Sequence, residues 1–449
     1  MKFLILLSSA ILILIPIVNL HSQVTTQWTS IYNGVSSDTD VVTSMMVDTD
    51  GNVYVTGFSK NNQTGKDIAT IKYNTSGQQL WVSKYNNTDA NEDDKGSAIT
   101  VDVSGNVYVT GYSVGLETFK DFITLKYSSS GELLWSTRFN GKGNDDDVSS
   151  SVAVDGLGNI FITGFSVGLT SSEDFLTIKY NSAGSQQWIS TYNNPEMYDV
   201  DIATTLSLDG SGNVCVAGFS IGKGTAEDFT TVKYNSGGEE QWVKRYNGTG
   251  NDYDIMSAIA VDASGNIYVT GYSAGINSSE DFATVKYDSQ GNQLWVNRYN
   301  GNSNAYDIST AITCDNQGNV FVTGYSYDTL TSEDYATIKY NASGNEEWVS
   351  KFDGQSNEYD IATAMKVDNK GGVYVTGYSY TFGSDEDFAT LKYNSSGDQQ
   401  WVEIFDNKTH GSDITAALAL DEEGDIFVSG YSYEGVTSVD YVTIKYSQT

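Results

Sequence analysis

The sequence predicts an all-β fold, an eight-bladed β-propeller of four-stranded antiparallel blades, and three observations predict it. All eight tryptophans, Trp28, Trp81, Trp135, Trp188, Trp242, Trp295, Trp348 and Trp401, recur 53 or 54 residues apart. Such a period marks one supersecondary unit that cannot bury its apolar faces alone and must pack on its neighbours. Each unit reads as four short strands separated by turn chemistry, with no amphipathic helix period. Finally, the chain opens on a fourth strand without the first three, residues 28–34, and closes on a third strand without a fourth, residues 441–446. The two remainders complete one blade. Pairing the N-terminal strand into the last sheet closes the ring and removes an unpaired edge.

The unit at 254–301 justifies each element. The first strand, 255–261, leads into Asp262-Ala-Ser-Gly-Asn266, where Asp folds onto the backbone and Gly takes positive φ, a tight hairpin. The second, 267–272, alternates Ile267, Val269 and Gly271 with Tyr268, Thr270 and Tyr272. A polar loop, 273–280, leads to the third strand, 281–287; a second turn, 288–292, precedes the fourth, 294–299. Both faces carry bulky side chains, so each small sheet needs a cover on both sides. The whole chain has only two prolines. A stacked β-solenoid is the alternative, but its repeats are usually shorter. Glycine recurs in the second strand (Gly57, Gly111, Gly164, Gly218, Gly271, Gly324, Gly377, Gly430), where it weakens a strand unless something lies against it. The expected cover is an aromatic ring of the adjacent blade, the tryptophan or the fourth-strand tyrosine.

Residues 1–22 read as a secretory signal: Lys2, an apolar run, a short polar exit and cleavage after Ser22, with an uncleaved anchor as the alternative. Residues 23–449 then form a single propeller domain without linkers. Removing Lys2 leaves 23 basic against 57 acidic residues, a net charge of −34. That balance argues against nucleic acid and anionic membrane surfaces. The acids are dispersed and read mainly as a solvated surface. Cys215 and Cys314 fall two blades apart, beyond disulfide reach, and are expected as buried free thiols.

The pattern Asp254-Ile-Met-Ser-Ala-Ile-Ala-Val-Asp262-Ala-Ser-Gly-Asn-Ile-Tyr-Val-Thr-Gly271-Tyr-Ser resembles the bacterial β-propeller repeat family known as SBBP. So do the Asp281-Phe start and Lys286-Tyr end of the third strand, and the Gly-Asn-Gln-Leu-Trp295 that follows. The likeness covers nearly all of residues 23–449. The family's name implies seven blades, whereas this sequence counts eight. The resemblance implies an extracytoplasmic bacterial protein and brings no reaction or catalytic motif.

Candidate sites follow from the repeat. An aspartate heads every innermost strand: Asp40, Asp94, Asp147, Asp201, Asp254, Asp307, Asp360 and Asp413. In a propeller these ring one mouth of the channel, where like charges need donors, protons or a cation. Capping of a loop by each carboxylate is the favoured reading; a cation site is the other. A second series, from Asp48 to Asp421, is expected to cap the hairpin turns, and third-strand lysines such as Lys233 and Lys286 to cross to acids of the neighbouring blade. Asp48-Thr-Asp50-Gly-Asn52 starts like an EF-hand loop but lacks its later ligands. No cofactor is expected, with Ca2+ the one candidate.

The longer loops open on the face of the Asp40–Asp413 series, the natural binding surface. There Val114, Val167, Ile221 and Ala274 of earlier units give way to Tyr327, Tyr380 and Tyr433, joined by Phe382; Tyr253, Tyr306 and Tyr359 precede the aspartates of units five to seven. Aromatic platforms beside carboxylates suit sugars or a protein anchor. Catalysis has little support: His410 is the one histidine outside the leader, and no nucleophile, zinc or phosphate-loop motif occurs. The expectation is a secreted, periplasmic or cell-surface monomer, a non-enzymatic scaffold binding protein or carbohydrate on its loop face. A carboxylate-based polysaccharide hydrolase or lyase and a purely structural surface protein are the alternatives.

Overall fold

A computed structural model describes residues 24–34, 38–195, 199–433 and 439–448. The leader expected over 1–22 lies outside them. The described chain forms 32 strands in eight four-stranded sheets, all antiparallel and seven of them in sequence order. Blade 1 runs Asp40–Val47, Val53–Asn61, Gly65–Tyr73 and Gln79–Tyr85; blades 2 to 7 repeat it. Blade 8 holds Asp413–Leu420, Ile426–Tyr433 and Val439–Gln448, and its outer strand is the N-terminal Val24–Tyr32. That strand pairs from Val24↔Gln448 to Tyr32↔Tyr441, so the ring closes by strand exchange between the two ends. No helix among the described residues is long and apolar enough to cross a membrane.

In blade 5 the strands are Asp254–Val261, Ile267–Ala274, Glu280–Tyr287 and Gln293–Tyr299, each one or two residues longer than the sequence pattern predicts. The core lies between blades. Tyr268 and Phe282 of blade 5 pack with Val320, Val322, Ala336 and Ile338 of blade 6, all fully or nearly fully buried.

The expected cover of the second-strand glycines is corrected. Each faces a bulge in its own inner strand, such as that between Met256 and Ala258. A Cβ on Gly271 would lie 2.1 Å from Ile255 O, and one on Gly57 1.9 Å from Val41 O. The glycine exists because a bulge brings a carbonyl against it. A third-strand ring of the preceding blade adds to the crowding at some positions, as Phe229 does at Gly271. The tryptophans cover a different glycine, in the turn before the next blade's outer strand: Trp28 on Gly77, Trp81 on Gly131, Trp242 on Gly291. Their indole N–H groups donate across to the same turn, as Trp188 Nε1 does to Ser236 O at 3.1 Å. Residues extruded by three of the bulges also link blades: Thr43 Oγ1 donates to Gly96 O, Ser150 Oγ to Ala203 O and Thr310 Oγ1 to Ala362 O, at 2.8 to 2.9 Å.

At the seam this pattern changes. Among the described residues Trp401 covers no turn glycine; Val24 packs into its cluster instead, and Trp401 Nε1 is buried without a partner. Lys392 donates to the Gln448 side chain where other lysines reach a backbone carbonyl. The lysine expectation is also corrected. Lys126, Lys179 and Lys286 cross to Ser182 O, Ser236 O and Ala342 O of the next blade, and where a lysine at this position ion-pairs, as Lys233 does with Asp209 at 2.9 Å, the acid is in its own blade. Cys215 is buried and Cys314 only partly so; both are free.

Candidate functional site

Two tight turns per unit point away from the loop face, and their carboxylates are spoken for. Asp262 Oδ1 accepts from Ser264 N and Asn266 N, and its Oδ2 from Asn266 Nδ2 and Tyr268 Oη, at 2.7 to 2.9 Å. Asp48 does the same with Asp50 N, Asn52 and Tyr54 Oη, so the EF-hand-like stretch is a capped hairpin.

On the loop face, the eight aspartates that head the inner strands are all buried, at most 1% exposed. Each folds back: Oδ2 of Asp254 accepts from Gly248 N at 2.6 Å, that of Asp307 from Gly301 N at 2.8 Å, that of Asp94 from Asn87 N at 2.7 Å. Seven of them leave Oδ1 buried without a partner; Asp413 Oδ1 accepts from Asn407 Nδ2. Burial outweighs the caps. It pushes Asp94, Asp147, Asp254 and Asp413 up to about 6, and Asp360, with Asp353 and Asp334 nearby, up to about 7.

Outside this ring the rim is asymmetric. In blades 1 and 2, Lys66 and Lys120 begin the third strands and pair with Asp93 and Asp146 of the next blade. In blades 5 to 7 glutamate replaces lysine, and tyrosine precedes the inner-strand aspartate. Tyr253 donates to Glu280 at 2.7 Å, Tyr306 to Glu333, and Tyr359 to Glu386, which Ser412 of blade 8 also reaches. The bond to Glu280 pushes Tyr253 up to about 12. Burial would raise Glu280 and Glu386, but hydroxyl donors outweigh it and hold both below the ordinary glutamate range.

The tyrosines predicted from sequence come together in pairs. Tyr306 and Tyr327 have ring centroids 5.3 Å apart, Tyr359 and Tyr380 5.4 Å, and Phe382 stands edge-on to Tyr380 at 6.0 Å. Tyr433 is 42% exposed and packs on Tyr431 instead. Sequence reasoning missed the glutamates that fix these rings, although the Glu-Asp dipeptides at 280, 333 and 386 were visible against Lys66 and Lys120. It also missed the apolar loop tips Leu116, Leu169, Ile276 and Leu330, each at least 70% exposed like Phe382. Their signal was one bulky apolar residue at the same place in several polar loops.

Three segments of the chain, residues 27–62, 134–169 and 241–277, match the family model described as Beta-propeller repeat, SBBP. An uncharacterized WD repeat-containing protein of Acanthamoeba polyphaga mimivirus is 23% identical over 440 residues, which cover 76% of this chain and 30% of that protein. The regulatory protein FlaEY of Caulobacter vibrioides is 30% identical over 118 residues, 23% of this chain and 12% of that one. The chain thus spans less than a third of the length of either relative. Among solved structures, Drosophila Plexin A in complex with Semaphorin 1b superposes with a TM-score of 0.45 at 9% identity, covering 94% of this chain and 88% of that one.

Proposed function

We propose that this β-propeller is an exported, non-enzymatic bacterial scaffold that binds a protein or glycan through the aromatic sector of its loop face. The observation that carries the reading is the set of paired rings on blades 6 and 7, Tyr306 with Tyr327 and Tyr359 with Tyr380, in which Glu333 fixes the Tyr306 hydroxyl and Glu386 that of Tyr359. Rings held before a ligand arrives lose little freedom on binding, and they offer apolar faces beside acceptors, which suits a sugar or a partner's side chain. The exposed tips Ile276, Leu330 and Phe382 extend the apolar surface over blades 5 to 7. Export is supported by the apolar run after Lys2. Against catalysis, the one imidazole among the described residues, His410, is engaged by Asp406 at 2.7 Å and has no serine or cysteine nucleophile bonded to it.

A glycan array and a reducing-end assay on the same purified sample test this. Binding without turnover is expected, and Tyr327→Ala/Tyr380→Ala/Tyr433→Ala should abolish it at an unchanged melting temperature. Turnover of a polysaccharide, or binding retained by the triple variant, would overturn it.

A further inference from the structure

Eight near-equivalent blades act as controls for one another at the aspartate near the start of each third strand, buried in all but blade 3. In blades 2, 4 and 5 an outer-strand arginine reaches it: Arg138 to Asp121, Arg245 to Asp228 at 2.7 Å, Arg298 to Asp281 at 2.8 Å. Blades 1 and 6 have Lys84 and Lys351 at the arginine position. Blade 7 has Ile404. Two residues further along, six outer strands carry asparagine, but blade 7 carries Asp406. Blades 3 and 8, with Thr191 and Ile31 at the arginine position, keep the asparagine. Blade 7 alone has therefore lost the cation and gained a second carboxylate.

The third carboxylate is Asp413, at the head of the blade 8 inner strand. One oxygen each from Asp387, Asp406 and Asp413 lie within 4.8 Å of one another. Asp387 is 2% exposed; Ser384 Oγ donates to its Oδ2 at 2.7 Å and the Thr381 hydroxyl also favours its charged form, while Oδ1 is buried without a hydrogen bond, as it also is in Asp121, Asp228 and Asp281. Asp413 is fully buried, with Asn407 donating to both oxygens. Asp406 accepts from His410 Nδ1 on its exposed side. Among the described residues, no lysine or arginine ion-pairs with any of the three. Three carboxylates so close repel strongly away from water, and here no arginine offsets their charge as it does in blades 2, 4 and 5.

We propose that Asp387, Asp406 and Asp413 bind a hard divalent cation of the Ca2+ or Mg2+ class between blades 7 and 8, filling the role that arginine has in blades 2, 4 and 5. An all-carboxylate donor set selects such ions over thiophilic ones. Oxygens this close fit a shell of about 2.3–2.6 Å radius, with water completing it from the exposed Asp406 side. The His410 contact orients Asp406, the usual job of a group behind a ligand. The matching cluster one blade earlier, Asp334, Asp353 and Asp360, has the positive charge of Lys351 close enough to favour ionised Asp334, which the blade 7 cluster lacks. A single cation is therefore expected. The site is independent of the partner-binding reading.

The test titrates Ca2+ and Mg2+ separately into EDTA-treated, desalted protein, by calorimetry and by melting temperature. One cation per chain should bind and raise the melting temperature. Asp387→Asn should weaken it by at least the roughly 10–100-fold that loss of an outer-sphere partner costs. Ile404→Arg, which copies blades 2, 4 and 5, should melt in EDTA no lower than the native protein and lose the response to metal. No binding of either ion at millimolar concentration, or a metal response that both variants keep in full, would overturn the proposal.

Discussion

Deleting residues 24–32 from a protein that already lacks the leader tests ring closure by the terminal strand. Stopping at Tyr32 preserves the Gly34 N–H cap on Asp40, at 2.6 Å. The deletion removes Trp28 from Gly77 and Tyr73 of blade 1, Val24 from the Trp401 cluster, and Tyr32 from Tyr441 at 5.6 Å. Loss of a partly exposed tryptophan costs about 3 kcal/mol, at the low end for such truncations. Val24 and Tyr32 add about 1.5 kcal/mol each through lost apolar burial. The bonds from Trp28 Nε1 to Thr75 O and from Ser30 Oγ to Gly77 O add about 1 kcal/mol each. The strand's backbone bonds are taken as offset by the entropy of ordering it. The total is about 8 kcal/mol; with an unfolding entropy near 0.9 kcal/mol/K for residues 23–449, the midpoint should fall by about 9 °C. The bared edge of Val439–Gln448 should also promote self-association. Calorimetry and size-exclusion chromatography read both effects. An unchanged midpoint with a monomeric profile would refute the closure energetics.

Gly271→Ala should destabilise by about 2–4 kcal/mol, because its Cβ would sit 2.1 Å from Ile255 O, while Gly210→Ala, with nothing within 4 Å, should change stability by less than about 0.5 kcal/mol. Chemical denaturation compares them, and equal effects would refute the bulge explanation. Stability should also rise on mild acidification. The inner-strand aspartates, lifted by burial to about 6 or 7, bind protons more tightly folded than unfolded, so stability drops as pH climbs from about 4 through 7. Asp102 and Asp262 act in the opposite sense: burial would raise them, but hydrogen bonds from their own turns hold them low, so their contribution is lost only below about pH 4. In EDTA the melting temperature should be higher at about pH 5 than at about pH 8. The reverse order would mean that the buried aspartates do not govern the dependence.

The blade count was legible because seven of the eight tryptophans do the same once-per-unit job, lying on the next blade's turn glycine. The closure was legible because a strand remainder at each end has one economical use. Depth was not. An aspartate at the head of a strand reads alike whether it lines a channel or folds onto a backbone N–H six residues back, as Asp254 does. Nor does a bulge leave a mark in residue type, so the second-strand glycines suggested a ring where a carbonyl stands. Of the candidate site, the tyrosines were readable as departures from the repeat, but their pairing with Glu333 and Glu386 needed strand register. The cluster of Asp387, Asp406 and Asp413 spans two blades, and only Ile404 and Asp406, each out of step with most other units, hinted at it.

The shared last sheet has a further geometric result. Val24 and Gln448 sit side by side, at the end of the blade remote from the tyrosine rim. Anything fused to either terminus, whether an uncleaved leader or an engineered tag, would hold the disc by its back and turn the aromatic side outward. A label or surface attachment there should therefore leave the rim free, which makes the two ends the natural handles for immobilising this protein.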